Sequence, residues 1–242
     1  MALINQNTEE RQTWEQVFTE LSDSARTCRH QFGYYVNDRV CDNQFNCKDC
    51  AIHINVKRLM ESRRRDGWRE KPTGDEIFGL HLPADRLYHR GHTWIKEESD
   101  GAYTVGLDDF GRRLIGKPDS IDLPETGTEV QRNEPIWKIT REDTDVSMLS
   151  PITGKVIETG NTNTEWYVKI KPADNNGLTE HLLHGSEVKK WIQHEIGRLQ
   201  VSLSDDQIGV SFADGGVLLD DLPEAFPRAD WNRIYRELFL QK

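Results

Sequence analysis

The 192 residues that follow Cys50 contain no cysteine, although four stand at or before that point. Long apolar runs are missing too: no stretch approaches the ~20 residues needed to cross a bilayer, so a membrane-spanning helix is not expected. Met1 to Glu10 has neither a basic start nor an apolar stretch, which argues against a secretory signal and for a cytoplasmic protein. There is no Walker-type phosphate loop, no nucleophile elbow and no His-Glu-x-x-His metal motif, so a phosphotransferase or hydrolase is disfavoured. Basic charge is short as well, with 31 Lys and Arg against 41 Asp and Glu and a net charge of −10. Residues 1–75 hold 12 acidic and 12 basic side chains, so the acid excess lies wholly beyond them. Nucleic-acid binding, which depends on neutralising phosphates, is not expected from such a balance. The one basic patch is Lys57, Arg58, Arg63, Arg64, Arg65, Arg69 and Lys71. It is read as a solvated helix face or linker, with docking of an acidic partner as the alternative.

What is present suits a globular protein. Seven Trp, eight Phe and six Tyr among 242 residues are enough large side chains for a core, and the length fits a medium domain extended at both ends. Thr8 to Leu21 places Trp14, Val17, Phe18 and Leu21 at helical spacing. From about Ile52 to Arg65 a second helix is expected, followed by a linker at Pro72-Thr73-Gly74. The middle of the chain changes period. Trp94–Lys96 and Tyr103–Gly106 flank Ser99-Asp100-Gly101, whose Asp-Gly pair marks a hairpin turn. Short strands are predicted at Ser120–Leu123, Glu129-Val130, Pro135–Thr140, Lys155–Glu158 and Trp166–Ile170, punctuated by Pro124, Gly127, Pro151, Gly154 and Gly160. That pattern predicts a compact β-sandwich or barrel. Beyond Pro172 the periodicity turns helical again. Ser186 is a candidate N-cap, Val188, Trp191, Ile192, Ile196 and Leu199 share one face, and Trp231 to Phe239 predicts a last short helix. The stripes are read as packing against the sandwich. His89 and His92, close to Trp94, are read as packing or surface residues and not as a catalytic pair.

Five motifs in this middle stretch resemble the H-protein of the glycine cleavage system, which has the lipoyl/biotinyl-carrier fold. They are Gly91-His92-Thr93-Trp94-Ile95, Tyr103 to Phe110, Ile121 to Val130, Ser150-Pro151-Ile152-Thr153-Gly154-Lys155-Val156, and Trp166-Tyr167-Val168-Lys169-Ile170. Together they cover roughly residues 80–175. The resemblance implies a central barrel-sandwich hybrid at 76–175; with the N-terminal helix and four-cysteine module read at 1–75 and the helical C-terminal extension at 176–242, an α+β protein is expected.

One departure matters for function. In the family, a lysine at a hairpin tip takes lipoate through an amide bond, which only a primary amine can form. Counted back from Ser150-Pro151, that position falls on Asp143, and the family's glutamate three residues earlier falls on Thr140. No lysine occurs from Arg141 to Ser150, so a shift of register does not restore one. Lys138 lies five residues before Asp143, about 17 Å away at ordinary strand rise, and Lys155 lies beyond Pro151. No lipoate is expected.

The cysteines make the second candidate site. Cys28, Cys41, Cys47 and Cys50 are spaced C-x12-C-x5-C-x2-C inside a segment rich in Asn and Asp and poor in apolar residues. Such a segment needs a staple, and four thiolates suit a tetrahedral zinc site. An iron–sulfur cluster is satisfied by the same ligands. Plain thiols, or a redox dithiol at Cys47 and Cys50, are the bland alternative. His30 and His53 are possible substitutes for one cysteine. The readings that follow are an adaptor with protein partners, a redox or electron-transfer protein, and a true carrier using an unusual lysine.

Overall fold

The computed structural model describes residues 12–66, 74–160, 165–204 and 218–241. The expected linker residues Pro72 and Thr73, and Arg69 and Lys71 of the basic patch, lie outside them. Thr13 opens α1 (Trp14–Glu20) with a capping box: its hydroxyl accepts from the Gln16 amide and the Gln16 side chain reaches back to its own. Of the helix expected from Thr8 to Leu21, Thr8 to Arg11 lie outside the described residues, and the cap at Thr13 sets α1 at Trp14–Glu20. Next come α2 (Arg29–Phe32) and α3 (Ala51–Arg65), capped by Cys28 and Cys50. The basic residues Lys57, Arg58, Arg63, Arg64 and Arg65 stand exposed on α3, as a solvated helix face requires.

The β-rich middle begins with a ribbon of β1 (Glu76–Ile77) and β2 (Leu80–His81). Strands β3 (Leu87–Tyr88), β4 (Thr93–Glu97), β5 (Tyr103–Leu107), β7 (Glu129–Val130), β10 (Gly154–Thr159) and β11 (Val168–Pro172) form a six-stranded antiparallel sheet in the order β3-β4-β5-β11-β10-β7. Strands β6 (Ser120–Asp122), β8 (Pro135–Arg141) and β9 (Thr144–Leu149) make a second sheet, with β8 in the middle. The Asp-Gly turn is where the sequence placed it. Gly101 takes φ +71°, and its amide donates to the Glu98 carbonyl at 2.9 Å. Helix α2, strands β1, β2 and β3, and two further elements were not anticipated. Helix α4 (Asp109–Ile115) starts because the Asp108 carboxylate accepts from the Gly111 amide at 2.7 Å, a cap hidden inside a stretch read only as a motif. Strand β9 alternates through Val146 and Met148, both fully buried, a signal present in the sequence but passed over.

Helices α5 (Ser186–Ser204), α6 (Leu222–Ala225) and α7 (Trp231–Leu238) follow. Ser186 is the first helical residue of α5 instead of its cap. Trp191, Ile192 and Leu199 of this helix and Leu238 of α7 are buried in the same apolar cluster as Val105, Val156 and Ile170 of the sheet. Phe32 from α2 joins that cluster, so one core crosses the stretches 1–75, 76–175 and 176–242. The architecture is α+β, a β-sheet middle with helices at both ends. Among the described residues no helix is long and apolar enough to cross a membrane.

The two tempting histidines are core residues. His89 is buried: its Nδ1 accepts from the Gly91 amide at 3.1 Å, and its Nε2 lies 2.8 Å from Asn133 Oδ1. Only the neutral ring with hydrogen on Nε2 satisfies both. Burial, with Arg132, Arg90 and His92 nearby, pushes its pKa down to about 4 against the favourable contact with Asn133. His181 packs edge-on against it at 6.2 Å, and Nε2 lies 2.8 Å from the Pro151 carbonyl. Burial, then Arg132 and His89, press its pKa well below the ordinary value, with Arg29 adding to this and Pro151 opposing it.

Two predictions follow from this packing. Gly106 faces Trp94 across β4 and β5, and a Cβ there would sit 2.4 Å from the indole and 2.5 Å from the Glu165 carbonyl oxygen. Gly106→Ala should cost about 1–3 kcal/mol, read as a lowered thermal midpoint. The second concerns acid. His89 and His181 bind protons more weakly folded than unfolded, so their contribution is complete above pH ~6.5 and is lost as pH falls towards 4. Denaturant titrations at stepped pH should show stability declining across that window. His89→Gln should flatten part of that decline.

Candidate functional site

The β8–β9 hairpin contains Asp143, the position that the sequence resemblance assigns to the family's attachment lysine. Arg141 pairs with Thr144 at its end, which leaves Glu142 and Asp143 as the turn, both exposed, with Glu142 at φ +51°. Asp143 therefore stands at the tip that its alignment implied. Lys138 lies opposite Ser147, well down the strand, and its ammonium is held by Asp145 at 3.0 Å and Asp122 at 3.5 Å. Lys155 is on β10, in the other sheet.

The hairpin is tied along its length to the C-terminal extension. Arg141 donates to the Asp221 carboxylate at 2.7 Å and to the Ile115 carbonyl at 2.8 Å. Thr144 meets Asn232 at 3.3 Å, and the Ser147 amide donates to Gln241 at 3.1 Å. Asp221 also caps α6 through the Glu224 amide and accepts from the Lys117 amide. Gly116, at φ +68°, makes room, since a Cβ there would lie 2.0 Å from the Arg141 guanidinium. None of these ties was read from the sequence. Asp221 carried a signal as the cap before Leu222-Pro223, whereas Asn232 and Gln241 carried none.

The cysteine module packs beside the β3–β4 turn. An isolated antiparallel bridge between Thr27 and Val40 sets Cys28 and Cys41 on neighbouring strands of chain. The Cys28 amide donates to Arg39 at 2.8 Å and the Cys41 amide to Arg26 at 2.6 Å. Cys47 and Cys50 are joined by a turn, the Cys50 amide donating to the Cys47 carbonyl at 3.1 Å. All four are free thiols. Cys28 lies within electrostatic reach of Cys41 and Cys50, and Cys47 within reach of Cys41 and Cys28. Burial pushes the Cys28 thiol up and the Cys47 thiol up to about 11, with Arg90 opposing in both cases. Among the described residues, no three Cys, His, Asp or Glu side chains already stand as a metal-ligand set. His30 and His53 are occupied with each other: His30 Nε2 lies 3.0 Å from His53 Nδ1, and His53 Nε2 lies 3.8 Å from Glu180. Burial lowers both, His30 to about 3. They line a cleft of about 410 Å³ together with Arg29, Lys57, Glu180 and Glu187.

Arg90 is the residue that sequence reading missed. It projects from the β3–β4 turn and is buried, its guanidinium 4.4 Å from the Phe45 ring centre and 5.4 Å from that of Phe32. Among the described residues no carboxylate forms an ion pair with it. Burial lowers its pKa, and the groups that oppose this are Cys47, Cys41 and Cys28. Arg29, by contrast, is buried but paired with Glu187, whose carboxylate outweighs the cost of burial and raises the guanidinium pKa.

Residues 86–195 match the family model for the glycine cleavage H-protein. The chain is 30% identical over 126 residues to the glycine cleavage system H protein of Listeria innocua, a match covering 47% of this chain and 99% of that protein. It is 29% identical over 127 residues to that of Oceanobacillus iheyensis, with coverage of 47% and 99%, and 27% identical over 128 residues to that of an Escherichia coli strain, with coverage of 48% and 98%. A crystal structure of the glycine cleavage system H protein from Mycobacterium marinum aligns with a TM-score of 0.38 at 22% identity, covering 44% of this chain and 94% of that one. The relatives are thus matched over almost their whole length by under half of this chain, between the cysteine module and the C-terminal extension. On the match to the Listeria innocua protein, 30% identical and covered over 99% of its length, the chain belongs to the glycine cleavage H-protein family.

Proposed function

We propose that this protein is a non-enzymic adaptor built on an H-protein-like domain that takes no lipoate. The observation that carries this reading is the β8–β9 tip, where Glu142 and Asp143 stand exposed and no residue from Arg141 to Ser150 offers an amine. A carboxylate cannot be acylated to a lipoamide. The ties from Asp221, Asn232 and Gln241 to the same hairpin support the reading. They fasten an element that a carrier has to present freely. What remains is a β-sheet domain on which the cysteine module and the helical extension pack, suited to holding protein partners.

The intact chain, expressed in a host with an active lipoylation pathway, should have the mass of its unmodified sequence. Intact-mass spectrometry checks this, and a lipoyl increment located at Lys138 or Lys155 would overturn the adaptor reading in favour of a carrier.

The division at 1–75, 76–175 and 176–242 is on this reading a division of roles, with the core shared. A chain shortened to begin at Glu76 should still melt cooperatively. Its midpoint should be lower than that of the full chain, because it loses Phe32 from the core and leaves Glu187 without Arg29. A featureless melt would show that the sheet domain depends on the N-terminal module.

A further inference from the structure

Little of helix α3 is covered by the rest of the protein. Of its 15 residues only His53 and Val56 are buried. Lys57, Arg58, Arg63, Arg64 and Arg65 are exposed, and Glu61 is the one acidic side chain of the helix. A helix of this length is ordinarily fixed by an apolar stripe along one face. Here Ile54 and Leu59 stand exposed among like charges instead. The helix dipole accounts for the three arginines of the last turn but not for Arg58. Since the whole chain carries a net charge of −10, α3 is a cationic face on an anionic protein.

One side of α3 forms a wall of the 410 Å³ cleft. Two carboxylates in it are already engaged, Glu187 by Arg29 and Glu180 by the Lys57 ammonium at 2.6 Å. Arg63 lines the cleft with its guanidinium 5.8 Å from the Tyr35 ring centre, and Val56, Met60 and Leu87 supply apolar lining. His30 and His53, both more than nine-tenths buried, belong to the same lining. As neutral rings they share one hydrogen between Nε2 and Nδ1, which leaves one outer N–H and one bare nitrogen. Neither His30 Nδ1 nor His53 Nε2 has a hydrogen-bond partner among the described residues. Open polar atoms in the lining of a cleft suit an occupant that brings its own donors and acceptors, as a peptide backbone does.

We propose that this cleft and the cationic flank of α3 together form the docking site for an acidic peptide segment of a protein partner. Its carboxylates lie on Arg58, Arg63 and Arg65, and an apolar side chain enters the cleft. A peptide fits better than a small anion, because α3 spans about 22 Å at the ordinary helical rise. Arg58 and Arg65 lie at helical spacing from Ile54, on a flank outside the cleft lining. A nucleic acid would meet five cations on one helix against the repulsion of the whole chain. Such a surface supplies the partner contact that the adaptor reading calls for, and its assignment rests on that reading. Lipoyl mass tests the adaptor reading and peptide binding tests this surface, so either can fail without the other.

Fluorescence anisotropy of the full chain with a short labelled peptide of glutamate and leucine provides the test. Saturable binding that weakens steeply with added salt is expected, tighter than for an all-glutamate peptide and absent for the lysine-and-leucine counterpart. Arg58→Glu together with Arg63→Glu should weaken it by about tenfold or more and leave the melt nearly unchanged, since both residues are exposed. Lys155→Glu together with Lys171→Glu makes the same change of charge on the exposed face of β10 and β11, and should leave the affinity within about twofold. Absence of binding by the glutamate-and-leucine peptide, or unchanged affinity in the Arg58 and Arg63 variant, overturns the docking site. An all-glutamate peptide that binds as tightly overturns the part assigned to the cleft. Tighter binding to a DNA duplex, or to vesicles containing phosphatidylserine, at the same ionic strength overturns it in favour of nucleic acid or a membrane surface.

Discussion

The short buried turn His89-Arg90-Gly91-His92 is where the β-sheet middle meets α4, α5, the N-terminal module and the last described residues. Its geometry is constrained, since His92 takes φ +63° and its amide donates back to the His89 carbonyl at 3.0 Å. A β-branched residue there would be strained. His92 is fully buried. Nδ1 lies 3.0 Å from Asp108, Nε2 lies 3.9 Å from Glu195, and the ring stacks on Trp191 at 5.1 Å. Asp108 at the same time caps α4, and Glu195 is engaged by Arg198 at 2.6 Å. Burial would raise the Glu195 pKa, but Arg198, His194 and His92 outweigh it and hold the carboxyl at about 2. One imidazole thereby ties the sheet, α4 and α5 together, with Phe239 closing the edge at 5.6 Å.

The side chains on either side of His92 reach in other directions. His89 turns towards Asn133 and His181, securing the β7–β8 connection and the stretch before α5. Arg90 turns towards the cysteines and the Phe45 cluster, which also holds Phe18, Leu21, Leu149 and Leu240. That small cluster draws on α1, β9 and the last described residues, so the N-terminal module meets both the hairpin strand and the C-terminus. The three parts of the chain are thus coupled by polar groups buried within apolar packing. Such groups narrow the arrangements open to the chain, because breaking contacts such as His92 with Asp108 or His89 with Asn133 would leave further buried polar atoms unpaired.

How much of this was legible in the sequence depends on how local the cause is. The Asp-Gly hairpin, the exposed basic face of α3 and the apolar stripe of α5 are set by turn chemistry and periodicity, and they lie where those rules put them. Asp143 was reached by counting back from Ser150-Pro151 along the family resemblance, and the β8–β9 turn falls at that position. Helix α4 was hidden, since seven residues including a glycine give little periodicity and Asp108 could be identified as its cap only after the helix was known. Arg90, His92 and Asp221 were not legible at all in their roles. Each acts on residues distant in sequence, such as Arg141 on Asp221 across 80 positions, and no window of residues carries that information.

The extension's hold on the hairpin bears on what kind of protein this is. A swinging arm needs an attachment point that reaches several partners in turn, so a carrier gains nothing from fastening the base of its own hairpin. Here Arg141, two residues before Asp143, is committed to Asp221, and Asp221 is committed in turn to the α6 cap and the Lys117 amide. Its carboxyl is pressed up by burial, but these donors and the Arg141 guanidinium hold it below the ordinary value, so the charge that anchors the hairpin persists. Ser147 is joined to Gln241 near the end of the chain. Ties of this kind exchange reach for rigidity. A domain that presents fixed surfaces benefits from that exchange, which is how these ties support the adaptor reading proposed above.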